Sequence, residues 1–370
     1  MKLKITLFVA TLFVLGTTSC KDDDAPVITD NNEPTDSTMA LYFPPTTGMW
    51  ETTSPESLGW NTDSIAALYN SLELNGTRAF MVLKDGKIVL EQYWGKTILR
   101  DADFDASKNW YWASAAKTLT AFAVGKAEED GHLALTDKTS DYLGEGWTSL
   151  TKEQEDKITV WHQLSMTSGM DDSKGDGLEP ENLTYLADAG TRWSYHNAPY
   201  TLLEEVVSNA TGQEYISYFN SILQNKIGMT GYWQWSGDLH LYLSNARSMA
   251  RFGLLMQNRG VWDDTRIINE DFVNDAISPS QDINGSYGYL WWLNSGKGFM
   301  IPQSQFKFPG SMLPQAPSDV YSGMGKNGQY VSISPSNSIV IIRMGDSPES
   351  SLVPLQYLDD IWGMMEGVME

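Results

Sequence analysis

The chain has 370 residues, 41% hydrophobic and 19% charged, enough apolar material for one large domain or two interleaved subdomains. Its 25 basic against 47 acidic residues give a net charge of −22, a surface that repels nucleic-acid phosphates, so no nucleic-acid partner is expected. A single cysteine, Cys20, excludes an intrachain disulfide. No internal repeat, zinc-binding spacing, glycine-rich phosphate loop or Gly-x-Ser-x-Gly elbow occurs, so neither metal nor cofactor is expected.

In chain order, Lys2 and Lys4 precede an apolar run over 5–15, and Gly16-Thr17-Thr18-Ser19 lead to Cys20. The run is too short to span a membrane and reads as an export signal over 1–19, with Cys20 placed where a lipoprotein is cleaved and acylated. Residues 20–45, rich in Asp, Asn, Thr and Pro, read as a flexible acidic tether, and 46–370 as the folded domain. Such a chain meets the membrane only through its lipid. The β-rich runs 79–83 and 87–93 flank Asp85-Gly86, a hairpin signature. Helical patterns follow at 114–130, stopped by Gly131, then at 199–209 and 244–258. Two more strands, 329–334 and 339–344, flank Pro335-Ser336-Asn337, and an amphipathic segment over 354–369 closes the chain. Strands at both ends bracketing a helical middle predict an α+β fold: one antiparallel sheet built from both chain ends, flanked by helices, with a mostly helical subdomain inserted. Residues 46–110 and about 290–370 would form the sheet part and about 111–290 the helical part. A ligand cleft is expected between them.

Ser114-Ala115-Ala116-Lys117 follows the aromatic run Trp110-Tyr111-Trp112 and opens the first helical pattern. Positions i and i+3 share a helix face, so the lysine amine could reach the serine hydroxyl, and a helix N-terminus favours developing negative charge. Two other Ser-x-x-Lys tetrads, at Ser149 and Ser304, open no long apolar helix. The bland alternative is a buried serine in an alanine-rich helix beside a solvated lysine. A second candidate element is Tyr195-His196-Asn197, on a loop ahead of a helix that Pro199 can start. Tyr218-Phe219-Asn220 instead falls in an apolar helical stretch and reads as core. A Ser-His-Asp site is disfavoured: on extended backbone His196 points opposite to Tyr195, His162 reads as structural, and His132 and His240 as incidental.

Ser114-Ala115-Ala116-Lys117, Leu164-Ser165-Met166-Thr167-Ser168-Gly169, Tyr195-His196-Asn197 and Gly325-Lys326-Asn327-Gly328-Gln329, in this order, resemble the superfamily of class C β-lactamases and penicillin-binding proteins, with the related family VIII esterases. The resemblance covers about 46–350. It implies acyl transfer through an ester on Ser114, with Lys117 and Tyr195 sharing the proton work and Asn197 holding the substrate's carbonyl or amide side. The third motif departs from the family's Lys-Thr-Gly, since Lys326-Asn327-Gly328 stands there. Gly325, Lys326, Asn327 and Gly328 are carried over as substrate-binding, with the backbone N–H groups of Ser114 and Lys326 as the oxyanion hole. Lys21-Asp22-Asp23-Asp24 resembles the export tag of Bacteroidetes lipoproteins and implies a cell-surface address on the outer membrane.

A lysine at its ordinary pKa of about 10.4 is protonated at neutral pH and cannot act as a base. Either burial lowers it, or Tyr195 works as a phenolate beside a cationic Lys117; the residues alone leave both open. Fourteen tryptophans, with Trp291-Trp292 adjacent, fit an aromatic core or a cleft wall. The leading expectation is a serine hydrolase of a small-molecule ester or amide. A β-lactamase or D-Ala-type peptidase would use the same mechanism, and a silent surface binding lipoprotein on the same fold is the alternative of another class.

Overall fold

The structure is a computed structural model whose described residues are 41–370, so the leader over 1–19, Cys20 and most of the 20–45 tether lie outside them. The strands that position the site are β1 (Thr77–Lys84), β2 (Lys87–Tyr93), β3 (Trp110–Tyr111), β4 (Gly231–Ser236), β5 (Leu239–Ser244), β6 (Trp292–Leu293), β7 (Tyr321–Gly325), β8 (Gln329–Ser334) and β9 (Ile339–Gly345). The principal helices are α1 (Thr62–Leu74), α2 (Lys117–Glu129), α3 (Leu203–Thr211), α4 (Ala246–Gln257) and α5 (Leu355–Met369).

The main sheet runs in the order β2-β1-β9-β8-β7-β6, antiparallel throughout. Asp85 and Gly86, at φ 50° and 82°, take the two positive-φ positions of a tight turn between β1 and β2. The two chain ends meet where β1 pairs with β9, Met81 opposite Ile342, and β8 continues the sheet with Val331 opposite Ile342. All residues of β8 and β9 are buried, because both faces of the sheet are covered. On one face α4 presses Gly253 against Val331 and Val340. On the other, Trp362 of α5 donates its indole N–H to Ser332 at 3.0 Å, and α1 packs alongside α5 and β1. The expected α+β fold, with its sheet from both ends and helices around it, is the observed one.

The region between β2 and β6 is not purely helical. β3, β5 and β4 form a second antiparallel sheet, which the sequence reading did not foresee, and α1 was also missed. The helical portion has a small core of its own, Trp147, Ile158, Met170, Leu183, Ala198 and Leu202. Every residue of α2 from Lys117 to Gly125 is buried, so this helix runs through the middle of the molecule with apolar packing on all sides. Gly131, at φ 74°, ends it as expected. Among the described residues no helix is long and apolar enough to cross a membrane.

Candidate active site

The site is built on the entry to α2. Ser114 lies in a single 3-10 turn, Ala113–Ala116, that runs into α2. Ala113 has φ 47°, a left-handed conformation that costs an alanine about 1–2 kcal/mol. The preceding residue holds it there: Trp112 donates its backbone N–H to Tyr242 O at 2.9 Å and its indole N–H to Ser244 Oγ at 2.7 Å, both on β5. From the other side the end of β7 closes on the same turn. A Cβ on Gly325 would stand 2.4 Å from Trp112 O and 3.0 Å from Ser114 N, so only glycine lets the strand approach.

Lys117 Nζ donates to Ser114 Oγ at 3.1 Å and to Asn197 Oδ1 at 2.7 Å. It also sits over the rings of Tyr200 and Tyr195, 4.1 and 4.9 Å from their centroids. With Lys117 only 2% exposed, burial drives its pKa down to about 7, against an opposing pull from Asp176. Asn197 Nδ2 donates to Asp176 Oδ1 at 2.9 Å, giving a chain from Asp176 through Asn197 and Lys117 to Ser114.

Tyr195 is buried, and burial raises its pKa above the ordinary tyrosine value. Ser114 is near enough to favour its ionised form, yet the Tyr195 hydroxyl makes no hydrogen bond of full geometry among the described residues. Burial outweighs that one imperfect polar contact, so the hydroxyl stays above its ordinary range. The ring is fixed by stacking on Trp292 at 5.6 Å and by the edge of Tyr287 at 6.3 Å. The Trp291-Trp292 pair therefore serves both core and site, both rings being fully buried. His196 has extended backbone and turns away, its Nε2 3.0 Å from Gly175 O, while Tyr195 and Asn197 face the pocket. His162 closes a capping box with Thr159 and has a structural role.

These groups line a pocket of about 240 Å³ with Tyr111, Asp176, Tyr200, His240, Lys326 and Val353. Lys326 therefore reaches the pocket wall. Asn327 and Gly328 do not line it: with φ of 64° and 75° they turn the chain between β7 and β8. Asn327 Nδ2 donates to the Tyr111 hydroxyl at 2.7 Å, and the carbonyls of Asn327 and Gly328 accept from the buried Arg343 guanidinium at 2.6 and 2.9 Å. Asn-Gly here supplies turn geometry between the two strands. His240 differs from expectation. It stands on β5, buried, with Nδ1 2.6 Å from Glu204 Oε2, and is among the residues lining the pocket. Asp176 and Tyr200 were missed as well. Tyr200 follows Asn197 by three residues and shares its helix Asn197–Thr201, a spacing that could have shown it, whereas Asp176 comes from a loop with no periodic signal. Among the described residues no group of three or more His, Cys, Asp or Glu could hold a metal.

Residues 76–351 match the family model described as Beta-lactamase. The chain belongs to the beta-lactamase family. A curated relative, the 6-aminohexanoate-dimer hydrolase of Paenarthrobacter ureafaciens, is 21% identical over 330 residues, covering 76% of each chain. Protein flp of Staphylococcus aureus (strain COL) is 24% identical over 167 residues, 41% of this chain, which thus spans a third of that protein's length. Among solved structures, a family VIII carboxylesterase aligns with a TM-score of 0.66 at 14% identity, covering 86% of this chain and 98% of the other. That likeness shows the shared fold. Membership of this beta-lactamase-fold family, with hydrolases among its relatives, supports a hydrolase.

Proposed function

We propose that the protein is a serine hydrolase that cleaves an ester or amide of a small molecule through an acyl-enzyme on Ser114. The observation that carries this reading is a buried lysine 3.1 Å from a serine hydroxyl, with its pKa lowered to about 7, at the wall of a pocket. Lys117 Nζ, in its neutral form, takes the Ser114 hydroxyl proton as Oγ attacks the carbonyl carbon. Charge on the former carbonyl oxygen would be met by the backbone N–H groups of Ser114 and Lys326, an arrangement whose loss typically costs on the order of 100- to 1000-fold in rate. As the tetrahedral centre collapses, the Lys117 ammonium returns its proton, by way of the Tyr195 hydroxyl, to the departing alkoxide or amine. Water then attacks the Ser114 ester, giving up a proton to Lys117, which passes it to Ser114 Oγ as the C–Oγ bond breaks and the acid leaves. With its pKa raised, Tyr195 acts as a neutral hydroxyl, so Lys117 is the base.

Of the alternatives with this mechanism, a small-ester or amide hydrolase is favoured over a β-lactamase, because Asn327 is committed to the turn and to Tyr111 instead of standing on a strand facing the cleft. Incubation of residues 41–370 with p-nitrophenyl acetate, with a cephalosporin and with a fluorophosphonate, followed by intact-mass spectrometry, tests the reading. A fluorophosphonate adduct on Ser114, absent in Ser114→Ala, is expected, with turnover of the ester. A folded protein unlabelled by all three reagents would make it a silent binding protein.

A further inference from the structure

Glu204 and His240 form a buried polar pair that the proposed proton relay does not use. Their side chains are 8% and 4% exposed, joined by a 2.6 Å contact between Glu204 Oε2 and His240 Nδ1. Glu204 Oε1 has no partner among the described residues. Burying a carboxylate is costly unless it is paired, and here the imidazole supplies the partner. The imidazole is held on more than one side. Trp235, directly across the β4–β5 pairing, stacks on it at 4.2 Å with 6° between the planes, and Trp233 lies against it at 5.0 Å. Its Nδ1 is taken by Glu204, so the remaining nitrogen, Nε2, has no protein partner among the described residues, while the residue lines the pocket that holds Ser114 and Lys117.

We propose that His240 is a specificity-determining residue which presents an Nε2–H donor to an acceptor oxygen of the substrate, a carboxylate by preference, and that Glu204 keeps that donor in place. The proposal rests on the pocket being the substrate site of the hydrolase described above. Its logic is one of proton placement. While the pair holds its shared proton, that proton lies either on His240 Nδ1, giving imidazolium and carboxylate, or on Glu204, giving neutral imidazole and carboxylic acid. In both arrangements Nε2 carries hydrogen, so the pocket sees a donor wherever the charge resides. Only when the pair has lost the proton does Nδ1–H donate to the carboxylate and leave Nε2 an acceptor. Burial raises the Glu204 pKa, which favours retention of the proton, while His240 opposes that rise. The other ionisable groups around the pair are Tyr200 and Tyr215, on which Glu204 acts, and Lys117, Asp176, Tyr195 and Lys326 around the same pocket. Asp176 Oδ1 is engaged by Asn197, and Lys326 and Lys117 both line the pocket, so amine donors stand near His240 for an anionic group. A carboxylate-bearing acyl chain complements the pocket.

Two stable amides of equal length test this: the mono-4-nitroanilide of succinic acid, which ends in a carboxylate, and 4-nitrobutyranilide, which ends in a methyl group. Binding is measured by calorimetry on Ser114→Ala, and on Ser114→Ala carrying His240→Ala or His240→Gln. The carboxylate ligand is expected to bind the parent at least tenfold tighter than the methyl ligand, and His240→Ala to abolish that preference. His240→Gln, which keeps an amide donor near the Nε2 position, should restore most of it. Equal affinity of the parent for both ligands, or a preference unchanged in His240→Ala, would overturn the proposal. So would an equal loss in the Ala and Gln variants with both still folded by thermal melting. Fluorophosphonate labelling of Ser114 in the otherwise unaltered chain is read separately: its failure would sink the hydrolase reading and leave the binding result standing.

Discussion

The pH dependence of Ser114 chemistry follows from the burial of one amine. Lys117 at about 7 against an ordinary value near 10.4 corresponds to about 5 kcal/mol between its charged and neutral forms, the order expected for a fully buried lysine. At pH 7 such a lysine is half neutral, whereas one at 10.4 would be neutral in about 1 molecule in 2,500, so burial raises the population of competent base by about three orders of magnitude. The rate of fluorophosphonate labelling, and kcat/KM for p-nitrophenyl acetate, should therefore rise about tenfold per pH unit well below 7 and level off near 8. Lys117→Arg, always charged, should lose at least 100-fold at every pH and lack this limb. Stability should follow with the opposite partner. Between pH 7 and 10.4 the unfolded chain holds the proton and the native one does not, so stability gained from losing the charge grows as pH rises through that window. Below 7 both states hold it and the burial cost is full. Lys117→Met should accordingly raise Tm more at pH 6 than at pH 9. A rate limb centred at 9 or above, or a Lys117→Arg variant retaining most of its activity, would refute the assignment of Lys117 as the buried base.

Three further outcomes rest on other residues. Gly325→Ala would place a Cβ 2.4 Å from Trp112 O and push the Ser114 turn away; it should cut Ser114 labelling at least 100-fold and cost about 1–3 kcal/mol in denaturant unfolding, and normal labelling would exclude the close-approach role. Arg343 is fully buried and donates to the carbonyls of Asn75, Asn327, Gly328 and Asp346, with no carboxylate partner among the described residues; Arg343→Met strands those acceptors, and a loss of about 2–5 kcal/mol is expected in urea unfolding, a loss below 1 kcal/mol counting against it. Cys20→Ser should release the full-length chain from membranes on fractionation if Cys20 carries the lipid anchor, and continued sedimentation with membranes would show another attachment.

The parts of this protein legible in its sequence are those whose signals are local. Asp85-Gly86 marks its hairpin because both residues tolerate positive φ, and Ser114 with Lys117 meet because three residues are about one turn. Tyr195 and Asn197 face one way and His196 the other for the equally local reason that extended backbone alternates. Asn327-Gly328 is ambiguous in sequence for a related cause. The pair has two local meanings, a motif fragment and a turn, and the three-residue connection to β8 selects the turn. His240 shows where such reading stops. Its flanking Gly237-Asp238 suggests a polar loop, yet those residues only turn the chain between β4 and β5, which pair from Gly231 opposite Ser244 to Ser236 opposite Leu239. What fixes His240 beside the pocket is Glu204, 36 positions earlier on α3, brought within 2.6 Å of it by the fold. No period or spacing in the chain encodes that contact. A buried carboxylate looks, in sequence, like any surface glutamate in the first turn of a helix. The cost of hiding it appears only once the fold shows that water has been excluded and that a single imidazole stands beside it.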